Sequence, residues 1–352
     1  MRVPPLLRRI PPLRDRPPRP SDPISDSLRQ QAVDGTRLAS DVSAVDAVLV
    51  PEFRTADRGA VVAQNRWARR ELGLLVLSGL LVIASSVQAA VQEEWAGALV
   101  AALGGLSSVV AGTTRSTDAR GAYLQARREA ERLRSLAWTH LATLEPTDPG
   151  ARTRALRRGV ARIRLQTVEG SGDADADRPG EEGLIVVAGT PAVRRDPASE
   201  RLLDLYLAGR VDAQRGWYRR RQEEFDAAER QGGRLRTALL IVATVIGSIS
   251  ALNLTDASRA ALGVAATAAT ALSAIITGWM RLQAFDTRAR LYELTAARLD
   301  VAQADRPLGV DAALAAEYIG HCEDVLLAEH GAWTSQTPRG AREPSPGPKA
   351  VP

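Results

Sequence analysis

The side chains in this sequence best suited to metal coordination or nucleophilic attack are few: His140, His321, His330 and the single cysteine, Cys322. His321, Cys322 and His330 lie close together in the chain, and both residue types ligate zinc. Three candidates do not complete a tetrahedral set, and neighbours 321 and 322 on a helix point about 100° apart. Those residues support packing, not coordination. A second candidate is the stretch DADAD, where Asp173, Asp175 and Asp177 match the first three ligand positions of an EF-hand loop. The match stops there, because Arg178 stands where the loop needs Gly and Leu184 where it needs a bidentate Glu. A solvated acidic loop is expected.

All but one of the 46 basic residues are Arg, the exception being Lys349. The rest of the chain therefore has no lysine for phosphate, Schiff-base or kinase chemistry. Nor does the sequence contain an HExxH pair, a GxSxG elbow or a GxGxxG loop. It predicts no catalytic residue, no cofactor and no metal site, and so a protein that is not an enzyme.

The elements that carry these residues explain the composition. A mean hydropathy of −0.14 suggests a soluble protein, but the apolar residues are gathered into four runs. The first is LGLLVLSGLLVIASSVQAAV, residues 72–91, with no charge. A hydrocarbon core of about 30 Å needs about twenty helical residues, so this run is long enough to span. QEEW leads into AGALVAALGGLSSVVAGT, residues 96–113, and so short a link makes the two helices antiparallel neighbours. The pattern recurs with TALLIVATVIGSISALNL at 237–254, a TDASR link and a fourth run at 260–279. The expected fold class is an all-α membrane protein: two transmembrane helical hairpins with long cytoplasmic helical extensions.

Charge sets the orientation. Arg66, Arg69 and Arg70 precede the first hairpin and Arg115, Arg120, Arg127 and Arg128 follow it, while its tip carries Glu93 and Glu94. The second hairpin repeats the pattern, with Arg230, Arg234 and Arg236 before it and Arg281, Arg288 and Arg290 after it. Positive flanks stay inside, which places both termini in the cytoplasm of a multi-pass inner (plasma) membrane protein. The same topology accounts for the net charge of +5 without nucleic acid as a partner. The Pro/Arg-rich start lacks the apolar core of a secretory signal.

Polar helical stretches flank the hairpins, and residues 146–195 change character. There RIRLQTV (162–168) and LIVVA (184–188) either pair as a small β-hairpin or belong to an irregular linker. Within the spans, Gly104, Ser108 and Gly112 recur at four-residue intervals, the spacing that lets membrane helices approach closely; packing inside the hairpin is one reading of them. Gln88, Ser248, Asn253, Thr267, Thr270 and Thr277 are candidates to line a pore formed by several copies. No Asp, Glu, Lys or Arg lies within the four runs, which counts against an ion-driven transporter.

One stretch is recognisable. YLAGRVDAQRGWYRRR, with Tyr206, Arg210, Gln214, Trp217 and Tyr218, precedes the second hairpin; Trp279, Tyr292 and Leu299 follow, and then Glu323, Glu329 and Trp333. This resembles the SLATT superfamily, the SMODS and SLOG-associating two-transmembrane effectors. The lead-in to the first hairpin, PEFRTADRGAVVAQNRW, with Pro51, Ala56, Asp57, Ala60 and Gln64, is similar to another branch of it. The resemblance implies two units in tandem, 46–145 and 196–335, between a disordered arm (1–45), a linker (146–195) and a disordered tail (336–352). It also implies a prokaryotic conflict or antiviral effector that oligomerises and perturbs or perforates the lipid bilayer. The signal would come from a nucleotidyltransferase or SLOG-type sensor partner. Tyr206, Arg210, Gln214, Trp217, Tyr218, Glu323, Glu329 and Trp333 would then form a cytoplasmic helix interface. A non-perforating anchor or scaffold is the alternative.

Overall fold

A computed structural model describes residues 22–32, 37–116, 119–143, 147–168, 196–252 and 255–335, with positions 4, 6 and 8; at 113–116, 119 and 329–335 it describes the backbone alone. Among the described residues there is no strand. After the short helix α1 (Asp26–Gln31), α2 (Arg37–Ala44) passes through a π-helical segment, Val45–Leu49, into the long α3 (Val50–Val91). Then come α4 (Glu94–Ser116), α5 (Ala119–Ala142) and α6 (Pro149–Val168). The order repeats: α7 (Pro197–Tyr206), a π-helical segment Leu207–Asp212, the long α8 (Ala213–Ser250), then α9 (Asp256–Gln283), α10 (Phe285–Ala304) and α11 (Ala312–Ser335).

Local chemistry sets these boundaries. Asp196 accepts from Ala198 N and Ser199 N, with Pro197 at the first helical position, so α7 starts there. Thr255 caps α9 through Ser258 N, and Asp311 caps α11 through Leu314 N at 2.9 Å. Gln92 turns the first hairpin at φ 56°, and Ala284 separates α9 from α10 at φ 46°. Both are in the left-handed region that costs a residue with a Cβ about 1–2 kcal/mol, and each donates its backbone N–H to a carbonyl of the helix before it, Gln88 O or Arg281 O.

Four helices are long and apolar enough to cross a membrane, and the apolar runs fall on α3, α4, α8 and α9, where the sequence puts them. Trp95, 57% exposed at the tip of the first hairpin, suits the membrane–water interface where indoles gather. The β-hairpin reading of the linker fails at its first strand. Residues 162–168 are the last turns of α6, which is anchored by Arg152, Leu156 and Val160, buried at four-residue steps. Residues 184–188, like the DADAD stretch, lie outside the described residues.

Two compact units form, and each draws on both halves of the sequence. One comprises 1–20, 55–126 and 214–296 and holds the apolar lengths of α3, α4, α8 and α9. In it α3 and α9 run antiparallel: the side chain of Leu75 lies 2.5 Å from where a Cβ on Gly278 would be, and Ile275 crowds Gly79 in the same way. A Cβ at either position would have to displace the end of the neighbouring side chain. Met280 closes in likewise on Gly232 of α8, its Sδ 2.5 Å from a Cβ there. Trp217, Tyr218 and Phe225 on α8 meet Tyr292 and Phe285 on α10, with ring centroids 5.4–5.7 Å apart. The other unit comprises 21–54, 127–213 and 297–352. Its core includes Leu28, Phe53, Leu133, Trp138, Leu156, Leu203, Leu299 and Ile319, each no more than 1% exposed.

Candidate functional site: two buried ion clusters at the lead-in helices

A π-helical turn holds one extra residue, and such turns occur frequently at functional sites. Here each sits on, or next to, a buried charge. Segment Leu207–Asp212 carries Arg210, 3% exposed, whose Nε and Nη2 donate to the two carboxylate oxygens of Glu323 on α11 at 2.9 and 3.0 Å. Tyr206 donates its hydroxyl to Glu323 Oε1 at 3.1 Å. Burial, then the adjacent carboxylate, raises the Tyr206 phenol well above its ordinary range, so it stays a donor. Burial opposes the Arg210 charge, and Glu323 overcomes that and holds it on.

The cluster extends to α5. Arg210 Nη2 lies 3.7 Å from Glu131, which is 3% exposed and is also paired with Arg127 and Arg134 at 2.8 and 2.9 Å. Trp138 packs edge-on against Tyr206 at 5.1 Å and donates its indole N–H to the Pro23 carbonyl. At Gly209 a Cβ would come 2.9 Å from Ser25 Oγ, so only glycine lets the segment approach the cap of α1 so closely. One valence is open: Arg210 Nη1 is buried without a hydrogen-bond partner.

The second cluster lies beside the other π-helical segment. Asp41 on α2, 3% exposed, accepts from Arg152 of α6 at 2.7 and 2.8 Å and pairs with Arg37 at 3.3 Å. Arg152 also donates to the carbonyls of His140 and Thr143, which ties the end of α5 to the same point. His140 Nε2 stands 3.9 Å from Asp41 Oδ1, buried and unbonded. Burial lowers its pKa, and Arg152 and Arg37 add to that against the pull of Asp41.

Neither cluster offers a nucleophile. Cys322 is buried beside Tyr206 and Tyr318, and burial pushes its thiol up to about 12. No group of three His, Cys, Asp or Glu side chains able to hold a metal ion occurs among the described residues. The arrangement can store and release charge pairing between helices.

The structure gathers some of the sequence candidates and separates others. Tyr206, Arg210 and Glu323 meet; Trp217 and Tyr218 join the aromatic cluster of the other unit, and Gln214 is half-buried between these positions on α8. Glu329 and Trp333 lie on α11. Among the described residues a Cβ at Gly104 or Gly112 would meet no neighbouring element within 4 Å, and Ser108 is exposed. Ser248, Thr267, Thr270 and Thr277 donate to carbonyls four residues back in their own helices, at 2.8–3.0 Å. Gln88 folds toward α4, its Nε2 3.2 Å from a Cβ at Gly97; Asn253 is outside the described residues. Sequence reasoning missed Glu131, Asp41, Arg152, Gly79 and Gly278. The spacing of Arg127, Glu131 and Arg134 at four and three residues was the one available signal.

Residues 206–333 match the family model described as SMODS and SLOG-associating 2TM effector domain 1. No curated protein and no solved structure matches the chain. The matched segment opens at Tyr206, contains the whole of the hairpin α8–α9 and closes past Glu323. It therefore spans one hairpin of candidate membrane helices together with both partners of the Arg210–Glu323 pair. The first hairpin and the Asp41–Arg152 pair lie outside it.

Proposed function

We propose that the chain, whose 206–333 segment matches this two-transmembrane effector family, is a membrane effector of a prokaryotic conflict or antiviral defence system. A separate sensor, a nucleotidyltransferase or a SLOG-type protein, would signal to the cytoplasmic helices, and the hairpins would then perturb or perforate the inner membrane. The observation that carries this reading is the continuity of one helix. From Pro197 to Ser250 it bears Tyr206 and Arg210 at one end and an apolar span at the other. Breaking a buried pair by losing one partner is costly, so a signal that separates Arg210 from Glu323 would act directly on the helix that enters the bilayer. The first hairpin is read as a second unit of the same kind, 46–145 in tandem with 196–335.

Induced expression in bacteria, with and without the candidate sensor, tests this through a potential-sensitive dye. Depolarisation that requires the sensor supports the effector; an unchanged potential in both cultures rejects it. The second reading, a non-perforating anchor or scaffold, is favoured by the hydroxyls of Ser248, Thr270 and Thr277, which are satisfied by their own helices. Under it, cytoplasmic partners co-purify with the protein while the membrane stays polarised.

A further inference from the structure

Asp41 is the centre of the second cluster, and its two oxygens are unevenly used. Oδ2 accepts from Arg152 Nη2 and Arg37 Nε, at 2.8 and 3.3 Å, whereas Oδ1 accepts from Arg152 Nε alone, at 2.7 Å. A carboxylate offers about four acceptor positions, so one stays open on Oδ1. His140 Nε2 stands 3.9 Å from that oxygen, buried and without a hydrogen-bond partner.

The two arginines do more than neutralise Asp41. The last carbonyls of a helix have no partner within it, and at the end of α5 guanidiniums supply one. Arg152 donates to the carbonyls of His140 and Thr143, and Arg37 to those of Leu141 and Thr143. The end of α5 is thus closed by one cation from α6 and one from α2. They are held with different firmness. The Arg152 side chain is 3% exposed and grips both oxygens of Asp41; that of Arg37 is 39% exposed and makes one long bond to it.

The charged groups acting on the imidazole are Arg37 and Asp41 of α2 and Arg152 of α6, and Asp196 at the start of α7 acts in turn on Arg37. With the imidazole neutral, two cations share one buried carboxylate. A proton on His140 makes three, and a buried charge that lacks its counter-charge is costly. Arg37, which already reaches solvent, leaves at the least cost.

We infer that His140 and Arg37 are alternative partners of Asp41, swapped by a proton. The charged imidazole closes by about 1 Å onto the open position of Oδ1, the length of a charge-assisted bond. Arg37 gives up Asp41 and with it the carbonyls of Leu141 and Thr143. The swap frees the first turn of α2, the helix that leads through Val45–Leu49 into α3, while Arg152 keeps α6 on Asp41. Burial, with Arg152 and Arg37, holds the imidazole neutral against the pull of Asp41, so the swap runs as pH falls below the ordinary 6.5 and reverses as it rises. In a cytoplasm acidified by the loss of its proton gradient the freed form prevails; that setting alone rests on the proposed function.

Nuclear magnetic resonance on the full chain in detergent tests the swap, with the histidine rings labelled and the His140 signal identified by its loss in His140→Gln. Arg37→Gln, a change at a partly exposed site, should raise the pH at which His140 titrates by about half a pH unit or more, because it removes a competitor for Asp41. Hydrogen exchange of the amides of residues 37–44, corrected for the intrinsic effect of pH, should be at least tenfold faster at pH 5.5 than at pH 7.5 in the native chain and no faster in His140→Gln. An unmoved titration in Arg37→Gln overturns the inference, as does amide exchange that quickens first in α6 or equally in His140→Gln. Neither reading involves a membrane potential. The swap can stand where the dye measurement rejects the effector, and fail where depolarisation supports it.

Discussion

Arg210 and Glu323 are each essentially removed from water, and that burial decides what their substitutions do. Truncating either leaves an uncompensated charge, for which a cost of about 3–5 kcal/mol is expected. Arg210→Ala and Glu323→Ala should each lower the thermal midpoint in detergent markedly, and the double variant by less than their sum; additive losses would mean the pair is not coupled. His140 makes the other cluster sensitive to acid. Its folded pKa is lowered from 6.5, by burial first, so the unfolded chain takes up its proton at a higher pH than the folded one. Stability is therefore full above about 6.5 and falls as pH drops through that value. Around the imidazole stand Asp41, Arg37 and Arg152. Unfolding midpoints at pH 7.5 and 5.5 should differ more for the native protein than for His140→Gln, and equal differences would place the sensitivity elsewhere.

Helices in this protein are joined by two kinds of contact, and substitutions tell them apart. Where α3 crosses α9 the approach is close: Gly278→Leu would drive a side chain into Leu75. Overpacking of that kind costs about 1–3 kcal/mol. Gly104→Leu on α4 meets open space and should change the unfolding free energy of the isolated chain by no more than about 0.5 kcal/mol. Equal destabilisation by the two, measured in dilute detergent, would contradict the α3–α9 packing. The left-handed residue Ala284 belongs to this scale as well, since it lies between α9 and the stretch of α10 whose Phe285 and Tyr292 reach α8.

At the scale of the molecule, topology is the prediction. From the basic flanks we propose that the tips of both hairpins lie outside and the ion clusters inside. Single cysteines at Glu94 and Ala257 should react with an impermeant thiol reagent on intact spheroplasts, whereas one at the exposed Ala304 should react only after permeabilisation. The reverse pattern would invert the protein and remove the cytoplasmic sensor from the proposed function.

Hydrophobicity and length alone determined the four candidate spans and their pairing into hairpins, because the bilayer acts on composition averaged over a window of some twenty residues. The motif around Tyr206 and Arg210 was legible too, and the family match begins there. Only the tertiary structure decided that Glu131, far upstream, completes the Arg210 cluster, that Asp41 holds Arg152, and that residues 162–168 are helix. It alone showed that Gly79 and Gly278, not Gly104 and Gly112, are the glycines that helices close upon within the chain. A buried ion pair or a helix crossing depends on which faces meet, and residues more than a hundred positions apart carry no periodic mark of each other.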